Sequence, residues 1–175
     1  MVKSMKKVKK IIAVALVFTM LFASQVTAFA ASPQTKPANK DMSIALMPGV
    51  TGNSNTVTFN FNSLPDNAIV KEVEIDCSNA SVIGGKGAIL AQSLTITSPS
   101  GETHTVGWGK GNVTTTSLFI AEKAAGTWSV YMTGTNIASP SLGSAFIGGT
   151  KYSRPKMTIT VNFLIFSHSK SYYSL

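Results

Sequence analysis

An all-β fold, an antiparallel β-sandwich of jelly-roll-like form behind an N-terminal signal peptide, is what this sequence predicts. Three observations carry the prediction. From Met42 onward, apolar and polar residues alternate with period two in run after run. Glycine, proline, serine and asparagine clusters punctuate those runs at short spacing. Helical periodicity is nearly missing, with Leu118–Ala125 alone resembling a short helical turn. Alternation at period two is the signature of strands with one buried and one wet face, and many short strands separated by turns favour a sandwich or barrel.

The chain opens on Lys3, Lys6, Lys7, Lys9 and Lys10, followed by an apolar run from Ile11 to Ala23 broken only by Thr19. Ala28-Phe-Ala30 then precedes Ala31. A positive head, an apolar middle and an A-x-A site form a secretory signal peptide, with cleavage expected between Ala30 and Ala31. The apolar run, about 13 residues, falls short of the ~20 that a membrane span needs, so no stable membrane anchor is expected after cleavage. The expected location is secreted, extracellular or held at the cell wall. Residues 31–41 carry Pro33, Pro37 and polar neighbours and read as a flexible spacer. The sandwich is expected over 42–166, and 167–175 breaks the alternation and reads as a disordered tail.

Within the domain, Val57, Phe59 and Phe61 alternate with Thr58, Asn60 and Asn62, and Val73, Ile75 and Cys77 with Glu72, Glu74 and Asp76. Leu94 and Ile96 alternate with Thr95 and Thr97, Trp128, Val130 and Met132 with Ser129, Tyr131 and Thr133, and Met157 through Phe163 continues the pattern. The β-branched residues in these runs suit a pleated surface. Turns are expected at Leu64–Asn67, Gly84–Gly87, Ser98–Gly101, Gly107–Asn112, Ala138–Ser141 and Gly148–Gly149.

Charge narrows the partners. The chain carries 15 Lys and Arg against 7 Asp and Glu, a net charge of +8, but five of the lysines belong to the signal. The remainder has ten basic and seven acidic residues and no basic cluster, so nucleic-acid binding is not expected. The lone Cys77 has no intramolecular partner, leaving a free buried thiol, a bridge to another chain or a ligand as its possible states. Its place in the Val73–Ile75–Cys77 alternation favours burial.

Three segments resemble the P domain that accompanies subtilisin-like proprotein convertases and many secreted bacterial enzymes. They are Ile69–Asp76, Leu94–Val106 with Ser98-Pro-Ser-Gly101, and Ala124–Met132 with Ala124-Ala-Gly-Thr-Trp128. The resemblance spans about residues 57–165. Ala91-Gln-Ser-Leu94 departs from the family's G-D-L step, and no protease domain is present in this sequence. The resemblance implies a stand-alone jelly-roll module with a stabilising or binding role, and Trp128 as a core residue.

Candidate sites follow from residue chemistry. Trp108, in the glycine-rich Gly107–Asn112 segment, has Lys110 and Asn112 beside it and Tyr131 as a further aromatic. An exposed ring with polar neighbours forms a sugar-stacking platform. The competing reading continues Trp108 from Val106 onto the buried face. A surface platform predicts that Trp108→Ala abolishes binding with Tm nearly unchanged, and a core position predicts a large loss of stability. Glu72 and Glu74 share a strand face, at ~6.5–7 Å spacing. They suit a calcium site, the one cofactor the sequence suggests, or the paired carboxylates of a glycosidase, or a plain solvated face. Gly84-Gly-Lys-Gly87 lacks the first glycine and the Ser/Thr of a phosphate loop, and His104 and His168 have no zinc-ligand spacing. The function expected is a non-catalytic binding or accessory module for an extracellular glycan or protein partner. The alternatives are a structural or assembly protein acting through sheet edges, and a small secreted hydrolase using the carboxylate pair.

Overall fold

The computed structural model describes residues 32–84, 89–143 and 147–163. The expected signal and its Ala30–Ala31 cleavage site, the expected tail 167–175 and His168 lie outside the described residues. Ala31–Leu175 forms a compact unit of its own.

The fold is an all-β antiparallel sandwich. Its strands are β1 (Ser32–Pro37), β2 (Met42–Leu46), β3 (Thr51–Asn53), β4 (Val57–Asn60), β5 (Ala68–Asp76) and β6 (Ala80–Gly84). β7 (Ile89–Thr97), β8 (Thr103–Gly107), β9 (Val113–Thr116), β10 (Thr127–Asn136), β11 (Gly148–Tyr152) and β12 (Lys156–Phe163) follow. β1-β12-β5-β9 make a four-stranded sheet. β10, β7 and β8 make a second sheet whose far edge is shared by the short β3 and β4, and β2-β11-β6 make a third. Among the described residues the only helical pieces are the 3-10 turns Lys110–Asn112 and Pro140–Leu142. Leu118–Ala125 is a series of hydrogen-bonded turns, with Ile120 N–H on the Ser117 carbonyl and Glu122 N–H on the Phe119 carbonyl.

The predicted alternation sorts the side chains as expected. Val73, Ile75, Met157, Ile159 and Val161 of the four-stranded sheet are buried. So are Val57, Phe59, Leu94, Ile96, Trp128, Val130 and Met132 of the second sheet. Met42, Ile44 and Tyr152 of the third sheet join the same cluster, so one interior serves all three. Trp128 sits inside it with its indole N–H donating to the Ala124 carbonyl at 3.0 Å. Phe119 meets its ring edge-on, with centroids 5.1 Å apart. Burying this large ring therefore strands no polar group.

The segment Ser98–Gly101 closes the β7–β8 hairpin, with Gly101 N–H on the Ser98 carbonyl at 3.0 Å and Gly101 at φ 92°. Pro99 lies against Gly126, so the two sequence marks near residues 98 and 124–128 meet in space. Ser54 bridges the gap between β3 and β4 along β10. Its N–H donates to the Met132 carbonyl at 2.8 Å, and its hydroxyl accepts from Met132 N–H at 2.9 Å.

Two expectations are corrected. The expected turn at Gly148–Gly149 is instead the buried start of the central strand β11. A side chain on Gly149 would come within 2.7 Å of the Ile83 carbonyl oxygen, so glycine is there for close strand approach rather than for turning. The expected spacer 31–41 is largely structured. Ser32–Pro37 pairs with β12 from Val161 to Lys156, and Ala38 is fully buried. Proline is compatible because β1 is an edge strand. Pro33 and Pro37 share parity, which puts both N–H-less nitrogens on the same, open side. Removing residues 32–37 should therefore lower Tm by about 5 °C or more in a thermal melt; an unchanged Tm would restore the spacer reading.

Candidate functional site

The loop after β8 is held tightly from its backbone outward. Trp108 N–H donates to the Gln92 carbonyl at 2.9 Å. Gly109 N–H donates to the Thr114 hydroxyl at 2.9 Å, and a β-carbon there would fall 1.7 Å from the Val113 carbonyl oxygen. Only glycine allows the chain to pass. Asn112 takes the left-handed region at φ 63°, which asparagine tolerates better than most residues. Its side-chain oxygen accepts the Trp108 indole N–H at 3.1 Å, and its carbonyl accepts Cys77 N–H at 2.8 Å. The indole leans on the buried Tyr152 ring, with centroids 5.2 Å apart at 47°.

Trp108 is thus half-buried against the core, with its polar atom satisfied. Trp108 and Asn112 stand together, and Lys110 is exposed on the 3-10 turn between them. Tyr131 does not join them. It alternates with buried Val130 and Met132 and pairs with Thr95, which puts it on the outer face of the β10-β7-β8 sheet. Trp108 packs inward, so the four residues do not form one platform. Strand parity separates them.

Around Tyr131 the register builds a second surface. Thr105, Thr95 and Tyr131 form one row across the sheet. Thr103, Thr97, Ser129 and Thr58 form the row on one side. Gly107, Ser93, Thr133 and Asn53 form the row on the other. None of these residues is charged. The hydroxyls of Thr95 and Thr105 meet at 2.9 Å, those of Thr97 and Thr103 at 2.9 Å, and Thr133 donates to the Asn53 side-chain oxygen at 2.9 Å. In a threonine pair only one O–H is used between the partners, so the Thr97–Thr103 pair keeps a donor and lone pairs for an outside ligand, while Thr95 is buried and its pair is reached through exposed Thr105.

The outer face of the four-stranded sheet is chemically opposite. Asp76 lies across from Lys156, Glu74 from Thr158 and Glu72 from Thr160. The register shifts beside Glu72, so Lys71 and Glu72 are both exposed. Asp76 accepts the Ser78 N–H at 2.9 Å. Hydrogen bonds from Ser78, with Lys156 nearby, hold its carboxyl below the usual carboxylate range. Glu72 and Glu74 stand on this open face, and among the described residues no three His, Cys, Asp or Glu side chains converge to hold a metal ion.

A cluster that the sequence reading passed over lies near the β7–β8 turn. His104 Nε2 is 2.8 Å from Glu102 Oε1, and its ring meets Phe119 edge-on at 4.9 Å. Ser100 donates to Glu122 at 2.5 Å and shares a 2.7 Å hydrogen bond with Ser98. His104 and then Glu122 hold the Glu102 carboxyl below its usual range. The Ser100 hydroxyl meets a carboxylate and another serine rather than the imidazole, so this is not the arrangement of an activated nucleophile.

No protein-family model and no curated protein matches the chain. Among solved structures, the crystal structure of FlhE is similar over 77% of this chain and 100% of that one, at 14% identity and a TM-score of 0.38. That likeness is too low to carry an argument. Among the described residues no helix is long and apolar enough to cross a membrane.

Cys77 is buried, as its alternation predicts. Burial, with Asp76 adjacent, pushes its thiol from 9.0 up to about 12. Burial, with Cys77 nearby, pushes the Tyr152 phenol from 10.0 up to about 12. Below pH 9 both groups are protonated in folded and unfolded chains alike. Above it, the unfolded chain releases protons that the folded one retains, so stability falls as pH rises. A series of melts should show Tm declining between pH about 9 and about 12, with the onset moved upward in Cys77→Ala. A Tm flat to pH 11 would contradict this burial.

Proposed function

We propose that this chain is an exported, non-catalytic binding module whose ligand is a neutral extracellular glycan, taken on the face around Tyr131. One observation carries the reading: the two outer faces of the sandwich differ in charge. One presents Glu72, Glu74, Asp76, Lys71 and Lys156, and the rows around Tyr131 on the other present hydroxyls, amides and one aromatic ring without a charged residue, with exposed Leu90 opposite Thr135 at one end. A neutral sugar polymer offers apolar C–H faces for a ring and hydroxyls for hydrogen bonding, and it has no charge to satisfy. Hydroxyl rows at ~4.8 Å across strands and ~6.5–7 Å along them suit an extended, repetitive ligand better than a small molecule in a closed pocket. An accessory role of this kind also agrees with what the resemblance to the P domain implies.

Trp108 has a different part in this reading. Its ring pins the loop to Tyr152 and its indole N–H is already used, so it supports the fold more than it offers a surface. The carboxylate face lacks the cleft that glycoside hydrolysis needs to exclude water, and the hydrolase reading gains nothing from it.

The test is retention of the chain from residue 31 on microcrystalline cellulose, chitin and purified cell walls, with an anionic polysaccharide alongside. Tyr131→Ala should weaken retention about tenfold with Tm unchanged. Trp108→Ala should cost about 2 kcal/mol of stability and, while folded, retain binding. Clean flow-through on every neutral matrix, or binding lost with Trp108 and kept without Tyr131, overturns the proposal.

A further inference from the structure

The hydroxyl face around Tyr131 has a short axis and a long one, and they offer a ligand different things. Across the strands the Tyr131 row is short. Thr95 is buried with its hydroxyl on Thr105, so Thr105 is the hydroxyl within reach on that side. On the other side of Tyr131 the sheet edge is divided between β3 and β4. Ser54 is turned there onto the Met132 backbone, and Asn55 N–H is drawn away to the Ser43 carbonyl of β2 at 3.1 Å. Among the described residues the row therefore stops at Tyr131.

Along β10 the face continues. Ser129, Tyr131, Thr133 and Thr135 share one side of the strand and span ~20 Å at ~3.3 Å per residue. Beside them β7 carries a bulge. Ser93 pairs with Thr133 and Ala91 with Gly134, which leaves Gln92 as the extra residue. Gln92 is exposed, and Trp108 N–H holds its carbonyl at 2.9 Å. Bulges of this kind re-aim a side chain. Ile89 and Ala91 pack against the core, so Leu90 between them points outward, opposite Thr135, and is 53% exposed. Tyr131 and Leu90 thus set two apolar points on one face, ~13 Å apart along the strands, with the Gln92 amide and the Thr133 hydroxyl between them.

We propose that the ligand is an unbranched, extended chain of neutral sugars lying along β10 and β7, with Leu90 and Gln92 as specificity-determining residues beyond Tyr131. The inference rests on the glycan reading of the same face and gives it a direction. One sugar lays its C–H face on the Tyr131 ring, the Gln92 amide offers a donor and an acceptor to the hydroxyls further along, and Leu90 receives a second apolar sugar face. A linear polymer repeats its apolar and polar sides at fixed intervals, so it can meet apolar, polar and apolar points in a line. A disaccharide covers only part of that line. Affinity therefore grows with chain length until the line from Tyr131 to Leu90 is filled.

Isothermal titration of the chain from residue 31 with cello- and chito-oligosaccharides, from disaccharide to hexasaccharide, tests it. In at least one series the affinity should rise about tenfold or more from the shortest to the longest. Leu90→Ser and Gln92→Ala should each weaken hexasaccharide binding about fivefold, with Tm unchanged because both side chains are exposed. Affinity independent of length, or hexasaccharide binding indifferent to both variants, overturns this inference and leaves a sugar site at Tyr131 standing. Retention on an insoluble neutral matrix without binding of any oligosaccharide overturns it as well. A chain that binds neither oligosaccharide nor matrix overturns the glycan reading together with it.

Discussion

The fold depends above all on filling one interior from three sheets, and Trp128 is the residue around which that interior closes. An indole is too large to enter a sandwich core unless both sheets yield space, and its N–H cannot be left unpaired there. The chain meets both demands locally. Ala124, four residues earlier, supplies the acceptor, and small Ala124 and Ala125 with Gly126 leave room on the approach to β10. Phe119 closes the interior over the ring from the connecting turns and is itself covered by His104. The remaining strands add apolar side chains in register on either side.

Much of this was legible in the sequence, because alternation is a direct consequence of strand geometry. The runs holding Val57–Phe59, Val73–Cys77, Leu94–Ile96, Trp128–Met132 and Met157–Val161 all turn their apolar members inward as read. What escaped reading was anything fixed by a partner strand. Ser32–Pro37 has the composition of a linker and becomes a strand only because β12 offers it a free edge. Gly148 and Gly149 look like a turn and are strand residues because β2 and β6 press close on either side. Short strands such as β3, β6 and β9 have too few residues to show a period.

The candidate site divides in the same way. Tyr131 was readable as a wet-face aromatic, but its setting among Thr95, Thr97, Thr103, Thr105, Ser129 and Thr133 exists only once three strands are in register. Trp108 drew notice because glycines surround it. Those glycines let the chain pass close to β9 and tuck the ring against Tyr152, rather than display it. The same parity that fills the core therefore distributes chemistry outside it: charge on the β5–β12 face and hydroxyls on the β7–β8–β10 face. Each surface is a by-product of a strand whose other face or edge is committed to the sandwich.

The most direct test of the central claim, that Trp128 organises a single interior, is urea unfolding of Trp128→Ala followed by circular dichroism and by amide hydrogen exchange. A shared core predicts a loss of about 3–5 kcal/mol in one cooperative transition, with protection falling together in all three sheets. A loss under about 1 kcal/mol, or protection lost in the β10 sheet alone, would mean that the sheets are stabilised separately and that Trp128 is only one core residue among many.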